Sequence, residues 1–210
     1  MLSWLFSTMN SYLAAFNLQR WIEENIDLLK PPVGNRLLYA GQFKVLIVCG
    51  PNFRTDYHIQ NGEEFFYQLK GDITLKIVED GNFYDVPIRE GQVFCLPGKI
   101  PHSPQRGIDS IGLVIERKRE ETELDELRWY CDRCRRILYQ ETFFCDDLVL
   151  DLPPIIEKYY SSESLRTCKN CGWIEEPPKY DTADVKSPPS QQEETWERQT
   201  ECHADTHTSI

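Results

Sequence analysis

Two histidines, His58 and His102, lie in the β-rich body of the chain, and each has an arginine four positions away on its outer side, Arg54 and Arg106. The other two, His203 and His207, fall in a polar C-terminal tail. Glu64 follows His58 across Asn61-Gly62, a turn-forming pair that can bring the chain back to the same point. Two imidazoles and one carboxylate with open positions are the ligand set of non-haem Fe(II) oxygenases. Glu63 is the neighbouring alternative, but side chains alternate along a strand, so only one of the two can face inward. Residues four apart on an extended segment share a face about 13 Å apart, which leaves room for a small anionic ligand between a metal and each guanidinium. Taken singly, each residue has a bland reading, a hydrogen-bonded strand-end histidine or an arginine in a surface ion pair. Their joint placement is the signal.

A second set of residues has metal-binding spacing. Cys131 and Cys134 form one Cys-x-x-Cys pair, Cys168 and Cys171 another, and Gly172 follows the second pair where a knuckle needs a tight turn. Four thiolates make a tetrahedral site with no open position, so the expected role is structural, with iron or zinc equally compatible. Cys49, Cys95 and Cys145 sit in apolar or strand-like surroundings and read as core or incidental residues, while Cys202 belongs to the tail. Paired cysteines of this kind favour metal over disulfides and a reducing, cytoplasmic location.

The elements that must position these groups are mostly strands. An amphipathic helix is expected from Leu18 through Leu29, with Asn17 as N-cap and Pro31-Pro32 as its stop, and Asn35 is expected in a loop beside Gly34. Seven short strands follow, 36–40, 43–49, 64–69, 73–78, 83–88, 92–96 and 110–115, separated by Gly50-Pro51, Asn61-Gly62, Asp80-Gly81-Asn82 and Gly91. Strands this short with turns this frequent predict a mainly β sandwich or small barrel. The charged run from Arg117 to Glu126 reads as a solvated linker or helix face. Pro153-Pro154 ahead of Ile155, Ile156, Tyr159 and Tyr160 predicts a short helix starting there. The chain thus divides into an extension (1–17), a β domain (18–118), a four-cysteine segment (119–180) and a polar tail expected to be disordered (181–210).

Composition narrows the function. The chain has 210 residues and a formal net charge of -11, which disfavours nucleic acid, because phosphate contacts need clustered Lys and Arg. The local Arg133, Arg135 and Arg136 do not outweigh that balance against a nucleic-acid-binding zinc ribbon. The first fifteen residues are apolar but carry no positive charge before Arg20, and Ser, Thr and Asn interrupt them, so neither a secretory signal nor a membrane span is expected.

Several stretches carry a family resemblance. Glu64 to Gly71 and Gly91 through Pro97 to His102 resemble the two cupin motifs, with Gln60 where many cupins have a further histidine and Arg106 where many have Asn. Arg54-Thr-Asp-Tyr-His58, Glu63-Glu64-Phe-Phe-Tyr-Gln-Leu, Pro101-His102-Ser-Pro-Gln-Arg106, Leu113-Val-Ile-Glu116-Arg and Pro31-Pro-Val-Gly-Asn35 closely resemble the 3-hydroxyanthranilate 3,4-dioxygenase family over roughly Leu18 to Trp173. The resemblance implies a cupin barrel with a small C-terminal rubredoxin-like segment, found in bacterial and fungal members and lacking in animal ones. It implies ring cleavage of 3-hydroxyanthranilate by O2 to 2-amino-3-carboxymuconate semialdehyde, the quinolinate precursor on the kynurenine route to NAD. Residue by residue, it implies His58, Glu64 and His102 as Fe(II) ligands and Arg106 and Glu116 on the substrate's carboxylate and polar ring groups. It also implies Arg54 beside dioxygen or substrate, Asn35 in a loop over the site, and a homodimer. By its residues alone Glu116 would be solvent-facing, since it ends an apolar strand where charge begins. A non-catalytic cupin that binds a small anion or metal as sensor or store is the competing class, because the barrel hosts many functions.

Overall fold

The computed structural model describes residues 15–29, 34–52 and 54–178. The expectations for most of the N-terminal extension, for the Pro31-Pro32 stop and for the tail with Cys202 lie outside the described residues. Helix α1 (Leu18–Glu24) opens the fold, and the Asn17 side chain accepts from the Arg20 N–H as the cap predicts. The helix is shorter than expected and passes into a 3-10 turn, Ile26–Leu29, which leaves Ile26 exposed while Ile22 and Leu29 stay buried against the sheet.

Eleven strands follow among the described residues: β1 (Asn35–Ala40), β2 (Phe43–Cys49), β3 (Tyr57–Ile59), β4 (Glu64–Lys70), β5 (Ile73–Glu79), β6 (Asn82–Ile88), β7 (Val93–Leu96), β8 (His102–Arg106), β9 (Ile111–Arg117), β10 (Asp125–Tyr130) and β11 (Ile137–Phe143). They form two antiparallel sheets, ordered β1-β2-β9-β4-β7 and β11-β10-β3-β8-β5-β6. The pairing is nested: β5 with β6, β4 with β7, β3 with β8, β2 with β9. Alternate pairs go to opposite sheets, so one long hairpin is rolled into a barrel, the cupin fold. Phe66, Ile73, Leu75, Ile88, Leu96 and Val114 fill one end between the sheets.

Four strands, β3, β8, β10 and β11, escaped the sequence reading, the first three for a physical reason. β3 is only three residues long, and β8 contains Pro104, which normally argues against an inner strand. Beyond His102 the edge of β8 is satisfied by a loop instead of a strand: Asn52 Nδ2 donates to the Pro104 carbonyl at 2.7 Å, and Asn52 Oδ1 accepts from the Arg106 N–H at 2.9 Å. β10 corrects the reading of 117–126 as a solvated linker, because Arg119 and Asp125 are buried and β10 pairs with β3 in the barrel sheet. Asn35 likewise opens strand β1 instead of lying in a loop.

Helix α2 (Leu148–Ser161) begins ahead of the two prolines, which lie inside it. The Asp151 carboxylate accepts from the N–H groups of Asp146 and Asp147 at 2.9 and 2.8 Å, and this anchors the start. Its apolar side packs Leu152, Ile155 and Tyr159 on Leu127 and Trp129 of β10, with the Tyr159 ring stacked 4.2 Å from Trp129. A last short helix, α3 (Glu163–Arg166), leads into the second cysteine pair. No helix among the described residues is long and apolar enough to cross a membrane.

Leu75 has no exposure between the sheets, whereas Phe43 is 62% exposed. Leu75→Ala should lower the unfolding free energy by about 3 kcal/mol and Phe43→Ala by less than about 0.5 kcal/mol, as read by denaturant titration.

Candidate active site

His58 on β3 and His102 on β8 face each other as direct register partners across the sheet, with ring centroids 5.4 Å apart. Glu64 begins β4 on the opposite sheet, and its carboxylate lies 2.9 Å from His102 Nε2. The turn that returns the chain from His58 to Glu64 is locked from outside. The Lys99 N–H donates to the Gln60 carbonyl at 2.7 Å, and a Cβ at Gly98 would stand 2.2 Å from the Asn61 carbonyl oxygen, so no larger residue fits there. Alternation resolves the choice of carboxylate: Glu64 is buried and Glu63 points to solvent.

One donor atom from each of His58, Glu64 and His102 lies within 4.8 Å of the others, and all three residues are buried. A separation of 2.9 Å between two donors is what adjacent ligands about 2.1 Å from one metal would show, so the set fits a metal ion. Burial opposes the Glu64 carboxylate, but His102 beside it outweighs that and holds its pKa down. Burial opposes the His102 imidazolium, and Glu64 in turn outweighs it and raises the pKa, while burial keeps His58 below its ordinary value.

Behind the histidines lies a network that sequence reasoning missed. Asp125 Oδ2 is 2.7 Å from His58 Nε2, which leaves Nδ1 as the other ring nitrogen. Arg119 donates to both Asp125 oxygens at 2.7–3.2 Å, to Glu116 Oε1 and to Gln60 Oε1. Burial works against the Asp125 carboxylate, yet His58 and Arg119 bring its pKa down to about 2. Glu116 is buried on β9, in register with Glu64, instead of facing solvent. One of its oxygens is tied to Arg119 and the other has no hydrogen-bond partner. The signal available in the sequence was the alternation Asp125-x-Leu127-x-Trp129, which puts the carboxylate on the apolar face of a strand.

The two arginines differ in how they are held. Arg54 is gripped by the buried Asp56, through Nε at 2.9 Å and through Nη2, with about a third of its side chain exposed. Arg106 has no carboxylate against it: its Nε is unpartnered and its Nη1 reaches Gln68 Oε1 only at 3.4 Å. Burial lowers its pKa to about 10, still charged at neutral pH. Gly112 on β9 makes room for it, since a Cβ there would lie 2.8 Å from Arg106 Nη1. Both arginines, both histidines, Glu64 and Asn35 line one inner cavity with Leu46, Val48, Phe66, Val114, Leu148 and Leu152. It opens past Arg54, Arg106, Asn35 and α2 into an outer cavity of about 550 Å³. Glu116 is not in this lining but sits in register beside Glu64, which is.

The four cysteines also come together, each Sγ within 4.8 Å of the others. Cys131 and Cys171 are 3.6 Å apart and Cys134 and Cys168 3.5 Å, near the roughly 3.8 Å edge of a tetrahedron with 2.3 Å metal–sulfur bonds. The Arg136 N–H lowers the Cys134 thiol to about 6, which favours the thiolate a metal needs. Cys49 and Cys145 are buried as expected, and Cys95 is exposed on β7.

Because Asp125 holds the His58 imidazole, Asp125→Asn should weaken any metal bound at the histidine cluster by about 10- to 100-fold while metal at the four cysteines stays stoichiometric. Chelator competition with elemental analysis reads both.

Residues 10–160 match the family model for 3-hydroxyanthranilic acid dioxygenase. A 3-hydroxyanthranilate 3,4-dioxygenase of Neurospora crassa is 50% identical over 74% of this chain and 87% of its own length. One from Ruegeria pomeroyi is 51% identical over 80% and 96%. Among solved structures, a cupin-2 domain protein of Shewanella frigidimarina is similar at TM-score 0.40 and 13% identity, over 46% of this chain and 92% of its own. Two facing sheets of nested strands, a buried two-histidine, one-carboxylate cluster and relatives at this identity along most of the chain lead to one assignment: the chain belongs to the 3-hydroxyanthranilic acid dioxygenase family, a family of metal-dependent dioxygenases.

Proposed function

We propose that the chain opens the ring of 3-hydroxyanthranilate with O2, using Fe(II) held by His58, Glu64 and His102. The product is 2-amino-3-carboxymuconate semialdehyde: the bond between the hydroxyl-bearing carbon and its neighbour breaks, and both oxygen atoms of O2 enter the product. The observation that carries this reading is Arg106, a buried guanidinium without a carboxylate partner, in the same cavity as the metal-binding set.

A guanidinium can bind a carboxylate through two parallel charge-assisted hydrogen bonds, which orients an aromatic ring as well as binding it. Arg106 takes that role, and Arg54, fixed by Asp56, stands beside the reacting side of the ring. Glu116, with one oxygen free, is assigned to the ring's polar substituents and is the natural acceptor for a proton from them. The apolar residues Leu46, Val48, Phe66, Val114, Leu148 and Leu152 exclude water around the ring. Bound Fe(II) supplies the redox coupling between ring and dioxygen. A non-catalytic anion or metal binder is not favoured beside relatives that carry the dioxygenase name.

The same reading gives the chain a cytoplasmic setting, since paired thiolates that hold metal need a reducing compartment. It also gives a homodimer. Tyr39, Val45, Ile115, Phe65 and Cys95 form one row in register across the outer face of the five-stranded sheet, with Tyr39 50% exposed. Light scattering of the purified chain is expected at twice the monomer mass, and a monomer at micromolar concentration removes this part.

Anaerobic loading with Fe(II), followed by 3-hydroxyanthranilate and air, should give oxygen uptake matched to ring-opened product. Iron-loaded protein that consumes no oxygen refutes the assignment. Arg106→Ala should keep its iron and lose about 2–4 kcal/mol of substrate binding.

A further inference from the structure

The four-cysteine segment lines the substrate cavity through one element and, through a second, holds the chain neighbour of the cavity-lining Arg54. Between the two cysteine pairs runs α2, whose Leu148, Leu152 and Ile156 line the cavity. Past the second pair, Glu175 is buried at 6% exposure and meets Thr55, an exposed residue beside Arg54. Its carboxylate accepts from the Thr55 hydroxyl and from the Tyr159 hydroxyl, the latter at 2.5 Å, while the Tyr160 hydroxyl is 2.8 Å from Thr55 Oγ1. Thr55 is the residue between Arg54 and Asp56, which are locked to each other.

Glu175 is not free to move on its own. The Cys168 N–H donates to the Trp173 carbonyl at 2.7 Å, and Gly172 N–H to the Cys168 carbonyl at 2.9 Å. Thr167 bridges Ile174, and the Glu175 N–H donates to the Arg166 carbonyl at 3.1 Å. The Arg166 side chain caps the Glu175 carbonyl. Cys168, Cys171 and Glu175 therefore belong to one small hairpin, and two thiolates fixed to a metal fix the third group as well.

We propose that Glu175 is a positioning residue that couples the four-cysteine site to Arg54, so that holding metal there sets the geometry of the substrate cavity. This rests on the dioxygenase reading only for the role of Arg54; the mechanical coupling stands apart from it. The contact trades a surface loop's freedom for a buried hydrogen-bonded carboxylate, and its effect on the reaction is through substrate binding. A buried acceptor with two hydroxyl donors is satisfied and rigid, which is what pre-organisation of a neighbouring arginine requires.

Thr55→Val removes the hydroxyl at nearly constant volume without substituting the cysteine hairpin, Arg54 or any of the three proposed iron ligands; Thr55→Ser keeps the hydroxyl. In the full-length metal-loaded protein, Thr55→Val should raise KM for 3-hydroxyanthranilate by about five- to tenfold with kcat within about twofold, and Thr55→Ser should restore the wild-type KM. Amide hydrogen exchange across residues 54–58, measured without substrate, should speed up in Thr55→Val and also in Cys134→Ser, which weakens the four-thiolate site. Unchanged exchange and unchanged KM in Thr55→Val overturn the positioning role. Unchanged exchange in Cys134→Ser, with its cysteine-site metal lost by elemental analysis, overturns the coupling. If the wild-type protein does not turn over, the exchange comparison still decides the coupling, and that failure falls on the dioxygenase reading alone.

Discussion

One register pair organises the site. His58 lies directly opposite His102 because β3 and β8 are the third pair in a nested set that begins at the β5–β6 hairpin. Fixing that hairpin and rolling it up leaves no freedom in which residues meet: Glu64 on β4 and Glu116 on β9 come together by the same rule in the facing sheet. A slip of one residue would turn each of these side chains to the opposite face. The two-histidine, one-carboxylate cluster is thus a consequence of strand pairing, with local turns such as Gly98 against Asn61 as reinforcement.

The charges inside the barrel are divided unequally, and the division has chemical meaning. Arg119 is surrounded by Asp125, Glu116 and Gln60, so it is a structural cation whose job is to hold acidic groups in place. Arg106 is at least as buried, and its side chain has only a long contact to Gln68. Burying a guanidinium without an anion is costly, and the cost is recovered only when an anion binds. The free protein therefore carries a buried positive charge in the cavity wall with no carboxylate hydrogen-bonded to it.

β4, which alternates cleanly, and its neighbours β5 and β6 were legible in the sequence, and so was the bringing together of His58, Glu64 and His102 and of the cysteine pairs, because their spacing encodes geometry directly. What was illegible was long-range partnership. A carboxylate in a charged run looks solvated until a distant strand is known to pair beside it, and this hid Asp125 and Arg119. By its residues alone, without the family resemblance, Glu116 reads as facing water for the same reason, and Pro104 disguised β8, because only the fold reveals that Asn52 completes its edge. Glu175 lay furthest from view, since its partner Thr55 is 120 positions away.

The contribution of β10 and α2 bears on how such a chain can be cut and recombined. Asp125 behind His58, and Leu148 and Leu152 over the cavity, all come from beyond residue 118, where charge alone suggested a seam. A fragment that stops at that seam would keep every metal-binding residue of the histidine site and lose the carboxylate and the wall that make it usable. In this chain the segment beyond residue 118 is therefore built into the barrel, with β10 paired in its sheet and α2 walling its cavity.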